Sequence, residues 1–343
     1  MIGDIKCGEL QCTSPTVSMA SEISSTEAAI KYTSALETPG YIWRGGKQTT
    51  ELMDWAKYYY KLWLIENGDP QSLGVYIPQS VEKDTDGATL YKITGYDKSI
   101  LAKNDCITSR LSLVAGTKYL DQITSLLISC GITMVIADDS TATLQTTRDD
   151  WDIGTSKLKI INQLLSEISF RSVEMDKNGA AVLKRYEDAS AGNIQHTYRE
   201  GQASIVENGT TINSNLLEIP NIWIATVSNP DLAAALTYKY VNDNPLSTTS
   251  TVYTGQNKVK VLNFDNIATQ ADLETAVKKQ AFSDMQRIET VVFKTAVVAD
   301  HGVNDVVVLE LPQFNGILTE TAWEIDLDTM TMSHTGKESV NYG

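Results

Sequence analysis

Residues 297–312 read VVADHGVNDVVVLELP, and the fold turns on how that stretch is taken. One reading is chemical. His301 stands between Asp300 and Asp305, and histidine is the side chain whose ordinary pKa lies nearest neutrality, so a carboxylate could orient it as a base or join it on a metal. The other reading is structural. Thr295–Val298 and Asp305–Leu311 are rich in β-branched residues, and Ala299–Asn304 between them is turn chemistry. Two strands joined by a loop is the economical interpretation, and it predicts a chain built mainly from β-structure.

Working outward, 343 residues are enough for two or three domains with their own cores. The chain carries 28 basic and 43 acidic side chains, a net charge of −15, with no cluster of Lys and Arg. Tight binding to a phosphate backbone needs several cations on one face, so specific nucleic-acid binding is not expected. An acidic surface suits solubility, or a wall along which polyanions slide without sticking. No run approaches the ~20 apolar residues of a membrane span, and MIGDIKCGEL lacks the order of a secretory signal, so a chain made and kept in a cytoplasm is expected. Cys7, Cys12, Cys106 and Cys130 are scattered and read as reduced structural thiols.

Before the opening stretch, YYYKLWLI, LGVYIPQSV and ATLYKITGYDK, separated by the turn-forming ENGDPQ and EKDTDG, predict a β-meander between Tyr58 and Lys98. The Ser/Thr-rich segment before it predicts edge strands or an extended arm, and Thr49–Lys57 suits a short helix or a loop. From Gly116 the apolar period lengthens. Leu120, Ile123, Leu126, Leu127 and Cys130 line one helical face that ends at Gly131; Leu158, Ile161, Leu164, Leu165 and Ile168 line another that starts at Thr155 or Ser156. Asn178-Gly179 then predicts a tight hairpin. After Tyr186, LLEIPNIWIATVS reads as a strand pair or bent strand and YVNDNPLSTTSTVYTGQ as loop. TQADLETAVKKQAFSDMQRIE reads as a helix with Thr269 and Asp272 at capping-box spacing and Leu273, Ala276, Val277, Gln280, Ala281 and Asp284 along its inner side. TVVFKTAVV, DVVVLEL, GILTETAWEIDL and MTMSHTG close the chain as strands.

Other candidate sites weaken on inspection. His196 and His334, the remaining histidines, fall in loop and terminal-strand contexts that offer His301 no partner. Glu82–Gly87 imitates the first half of a calcium loop, but the position that needs a bidentate carboxylate is Ile93. Asn208 begins a glycosylation sequon that needs a secretory route to matter. Asp149, Asp150 and Asp152 around Trp151, with Glu167, invite comparison with a glycosidase acid pair, yet nothing fixes their separation. No phosphate loop, dinucleotide fingerprint, nucleophile elbow or zincin motif is present. The expected catalytic, cofactor-binding and metal residues are none.

Several segments in order do carry a resemblance: ITGYDKSILAKND, VAGTKYLDQITSLLISCGI, DDWDIGTSKLKIINQLLSEISF, MDKNGAAVL, IPNIWIATVSNPDL, NDNPLSTTS and ADHGVNDVVVLEL. Together, from about Tyr91 to Leu327, they resemble the baseplate hub proteins of contractile phage tails, in particular those of PBSX-type prophages and R-type bacteriocins. The resemblance implies an α+β, mainly β chain with two tail-tube-like β-barrels. Residues 1–110 would form the first barrel, 111–192 a small α/β domain, 193–240 with 287–343 the second barrel, and 241–286 an insertion with a loop and helix. It further implies a structural role without enzymatic activity or cofactor: a homotrimeric, pseudo-sixfold ring in a virion or tail-like particle. The implied partners are the tail tube, the central spike, other baseplate proteins and the tape-measure protein. A tail-associated cell-wall hydrolase and a hexameric tail-tip adaptor ring are the alternatives.

Overall fold

The computed structural model describes residues 6–21, 30–66, 68–85, 89–144, 147–149, 151–187, 192–200, 205–207, 209–214, 219–227, 235–264, 270–285 and 289–338. The chain divides into two compact units: Met1–Asp188 with Thr295–Val303 and Ala322–Ser333, and Ala189–Lys294 with Asn304–Thr321 and His334–Gly343.

The first unit begins with β1 (Thr13–Ala20), β2 (Tyr32–Thr38), the hairpin β3 (Tyr41–Arg44) and β4 (Lys47–Leu52), and then the meander β5 (Tyr60–Glu66), β6 (Asp69–Asp84) and β7 (Leu90–Tyr96). The meander is antiparallel throughout, as the turn residues predict. Two expectations for the N-terminal region change. β1 and β2 are interior strands, with β2 paired to both β1 and β7, and within Thr49–Lys57 the first four residues belong to strand β4 while Met53–Lys57 are turn and loop. The Ser/Thr content misleads because these hydroxyls find partners inside the sheet: Ser18 bonds Thr33 at 2.6 Å and Ser34 bonds Tyr60 at 2.7 Å. Val17, Met19, Leu36, Leu62, Leu64, Tyr76 and Ile93 form the core beneath. Tyr60 lies across Gly95, where an added Cβ would sit 2.1 Å from the phenol oxygen, so the absence of a side chain at Gly95 is what lets the ring in.

Helix α1 (Ser99–Asn104) leads from this sheet into an α/β module of α2 (Tyr119–Ser129), β8 (Val135–Ala137), α3 (Lys157–Glu167), β9 (Glu174–Met175) and β10 (Ala181–Leu183). The helical faces read from sequence are its core, with Ile123, Leu127, Leu158, Ile161, Leu164 and Leu165 sealed from solvent. Ser156 caps α3 by accepting from the Lys159 amide, and Gly179 turns the β9–β10 hairpin at φ +79°.

The module is an internal duplication. GTKYLDQITSLLISCGI (116–132) and GTSKLKIINQLLSEISF (154–170) share Gly, Thr, two Leu-Leu positions, Leu120/Leu158 and Ile123/Ile161 at a spacing of 38 residues (Tyr119 to Lys157). The backbone repeats with them. The amides of Ile132 and Phe170 close equivalent bonds to Leu127 and Leu165, after residues of positive φ at Gly131 and Ser169. The leading segments are exchanged between halves: Gly116 and Thr117 pair with Leu144, whereas Gly154 and Thr155 pair with Ile107. Each helix entrance is thus closed by the other half, which relates the halves by an approximate twofold. The Leu113–Arg148 bridge, donating in both directions at 2.7 and 2.8 Å, joins the two.

In the second unit β11 (His196–Arg199) and β12 (Thr211–Ser214) precede a three-stranded sheet of β13 (Ile222–Val227), β14 (Thr237–Val241) and β15 (Val259–Phe264), with α4 (Thr251–Thr254) between its last two strands. Helix α5 (Gln270–Met285) covers one face, burying Leu273, Val277 and Ala281 against Trp223, Ala225 and Val227 as its sequence pattern predicts. The Thr269–Asp272 cap falls outside the described side chains. Of LLEIPNIWIATVS, Ile222–Val227 form β13, while residues 216–218 and 228 lie outside the described residues. Then β16 (Glu289–Ala296), β17 (Val306–Leu311), β18 (Phe314–Asp326) and β19 (Thr331–Glu338) follow. Within this unit the strand order is β12-β16-β19-β18-β17-β11; within the first it is β18-β1-β2-β7-β6-β5, the end of β18 pairing with β1 from Ala322 to Asp326. The architecture is mainly β, as expected.

Two outcomes follow from these packing arrangements. Ser169 holds a left-handed φ of +58° where its counterpart is Gly131; Ser169→Gly should therefore raise stability by about 0.5–1 kcal/mol, read as a higher denaturant midpoint with an unchanged slope. Burial pushes the Tyr60 phenol up to about 12, and Tyr76 moves in the same direction. An unfolded tyrosine ionises near 10, so the folded state keeps a proton that the unfolded chain gives up. Stability from this source should be complete below pH ~10 and disappear between ~10 and ~12, by roughly 3 kcal/mol for Tyr60. Melting temperatures across that range should fall less steeply for Tyr60→Phe.

Candidate functional site

The first part of the opening stretch, Val297–Asp305, is a loop leading into a strand. β16 ends at Ala296, β17 starts at Val306, and turns at Ala299-Asp300 and Val303-Asn304 lie between, with Asn304 at φ +55°. His301 is buried, at 1% exposure. The loop is fixed to its own unit by the Trp323 indole, which donates to the Gly302 carbonyl at 3.3 Å, and by the Lys177 ammonium, which donates to the Ala299 carbonyl.

The second unit holds a compact polar arrangement among its described residues. His334 projects from β19 and Glu320 from β18, and His334 Nδ1 lies 2.5 Å from Glu320 Oε1 with both side chains sealed from solvent. Phe293 of β16 stacks on the imidazole, centroids 4.6 Å apart and 9° from parallel, and Tyr198 of β11 tilts against it at 5.4 Å. Next to them His196 Nε2 stands 3.5 Å from Asp305 Oδ2, and the Asp305 carbonyl accepts from the Glu320 amide at 2.8 Å. Burial raises the Glu320 carboxyl above the usual carboxylate range, and the hydrogen bond and charge of His334 pull it back. The pair is joined by a short hydrogen bond in a buried, aromatic-walled space. With 0% and 2% side-chain exposure, neither group presents itself to a substrate.

This pairing was not evident in sequence. His196 and His334 read as unrelated, and folding brings each to a carboxylate. The one available signal was a glutamate inside the apolar run ILTETAWEI, which ordinarily marks a solvent-facing position.

A second polar cluster joins the α/β module to the sheet of the first unit. Lys31 is buried with its ammonium 3.7 Å from Glu174 and donating to the Ser172 carbonyl at 3.1 Å. Asp97 accepts from the amides of Tyr32 and Ser99 at 2.9 and 2.8 Å. Burial lowers the Lys31 pKa, opposed by Glu174 and Asp97, and raises that of Asp97, opposed by these hydrogen bonds and by Lys31.

The remaining candidates take structural places. Glu167 pairs with Arg148 and accepts from the Tyr119 hydroxyl, Asp149 pairs with Arg110 at 2.8 Å, and Trp151 is buried with its indole on Gln163, so the imagined acid pair is engaged in ion pairs. Glu82 and Asp84 lie within β6, and Ile93 is core. Asp86, Gly87, Asp150 and Asn208 fall outside the described residues. The four cysteines are free thiols, and burial pushes Cys130 up to about 11.

No protein-family model matches the chain, and no curated protein matches its sequence. Solved structures do match. A tail protein from Neisseria meningitidis MC58 superposes with a TM-score of 0.66 at 11% identity, over 94% of this chain and 91% of that one. The 43 kDa tail protein of prophage MuSo2 from Shewanella oneidensis gives 0.64 at 8% identity, over 96% and 97%. An E. coli component of the type VI secretion system, described as structurally similar to the bacteriophage T4 tail proteins gp27 and gp5, gives 0.52 at 7% identity, over 98% and 76%. The shared property is the fold, along almost the whole chain.

His334→Ala should leave Glu320 buried without its main partner, at a cost of about 3–5 kcal/mol. Losing His334 raises the Glu320 pKa further, so the folded variant binds its proton more tightly than the unfolded chain does. The deficit should thus grow as pH rises from below ~4 toward neutrality. A double-mutant cycle with Glu320→Gln, followed by denaturant unfolding at several pH values, checks both sign and coupling.

Proposed function

We propose that the chain is a structural baseplate hub of a contractile phage tail or tail-like particle. The observation carrying this reading is the likeness to phage tail proteins over nearly the full length of both partners, at TM-scores of 0.66 and 0.64. The neighbour described as similar to gp27 and gp5 favours the hub over other tail positions. In this reading residues 1–110 and 193–240 with 287–343 are two tube-like barrels, 111–192 is the α/β domain and 241–286 the insertion.

Three such chains present six similar barrels. A trimer can then seat on a sixfold tail tube while keeping threefold symmetry toward the central spike. Burying β-edges between subunits also removes the hazard that open edges pose. The partners are the tube, the spike, other baseplate proteins and the tape-measure protein, and the net charge of −15 suits a conduit that a polyanion must leave again. The role is mechanical, and the buried Glu320–His334 pair holds β18 to β19. A reconstruction of the assembled particle without imposed symmetry should contain three copies in the hub layer. Six copies, or one tube-like domain in each chain, would reject the assignment.

A further inference from the structure

The duplicated α/β module is engaged through one of its two halves. In the second half the strand region docks onto the sheet of its own chain: Glu174 pairs with Lys31, the Ser172 carbonyl accepts from Lys31, the Lys177 carbonyl accepts from the Ser72 hydroxyl at 2.7 Å, and Asn178 accepts from Lys61 at 2.8 Å. At the repeat spacing (157 against 119), Ser172 and Glu174 correspond to Met134 and Ile136 of the first half. There the seat is open. β8 pairs with β10 on one side among the described residues, and Met134 and Ile136 are 50% and 56% exposed.

We propose that this second seat is filled by β5 of another copy of the chain. β5 ends its sheet, with Trp63 and Ile65 on its outer face at 50% and 69% exposure. Three features fit the two strands together. In the half already docked, the module lies beside β5 and β6 of its own chain, so the approximate twofold offers the same kind of seat to a second sheet edge. The charged Glu174 has become Ile136, so the new seat wants apolar side chains and no buried lysine, which Trp63 and Ile65 supply. Run antiparallel, the strands oppose Met134 to Ile65 and Ile136 to Trp63, giving two apolar pairs at period two. The contact is heterologous, β8 of one copy to β5 of the next, which is the type that closes rings. It rests on the reading of the chain as a ring component and names the surface by which copies join.

Cross-linking tests it. The full chain would be prepared as Ile136→Cys and, separately, Trp63→Cys, each with Cys7→Ser and Cys12→Ser to remove the exposed native thiols. Under mild oxidation a disulfide-linked pair should appear in the mixture and in neither preparation alone. By sedimentation, Ile136→Glu should weaken self-association about tenfold or more, and adding Trp63→Lys to the same chain should restore it. Both sites are solvent-facing, so circular dichroism should be unchanged. Oligomers that form without the mixed disulfide, and that tolerate Ile136→Glu, overturn this contact while leaving the ring reading intact. A chain that stays monomeric at its highest soluble concentration also overturns it, whereas the copy number in the particle decides the ring reading separately.

Discussion

Lys31 is the constraint on which the first unit turns. A lysine ammonium cannot be taken from water without compensation, and here it is held by Glu174 and the Ser172 carbonyl with Asp97 nearby. These groups lie on β9, on the segment leading to it and just after β7, so the buried cation ties the module to the sheet together with the Ser72–Lys177 and Lys61–Asn178 bonds. Apolar packing alone would let the module slide. A buried pair with directional partners admits one docking, and that docking decides which half of the duplication is used and which stays exposed.

The second unit uses the same physics on a histidine. Glu320 and His334 sit beside Phe293 and Tyr198, where an unpaired charge would be far more costly than in water. Each group makes the other tolerable. Such a pair contributes little net stability compared with a well-packed apolar pair, but it penalises any strand register that separates its members.

The surface carries a different logic. Exposed apolar residues on sheet-terminal strands, Trp63 and Ile65 on β5 and Ile136 on β8, are a liability for a chain that stays alone. Covering these strands with a second chain, as proposed, would remove that liability.

Much of the fold was legible in residues. The meander, both helical faces of the module, the Asn-Gly hairpin, the inner side of α5 and the closing strands were readable because each is set by periodicity or turn chemistry within a few residues. The loop nature of Ala299–Asn304 followed in the same way. Other features depended on partners remote in sequence. The interior place of β1 and β2 was hidden because Ser18, Thr33 and Ser34 look solvent-facing until their hydroxyls meet one another and Tyr60. The meeting of Glu320 with His334, and of Lys31 with Glu174, was likewise invisible, since a charge reads as exposed until the tertiary structure supplies its counter-charge. Local order is written in the spacing of apolar groups, whereas the pairing of buried polar groups is decided only when distant strands close the distance between them.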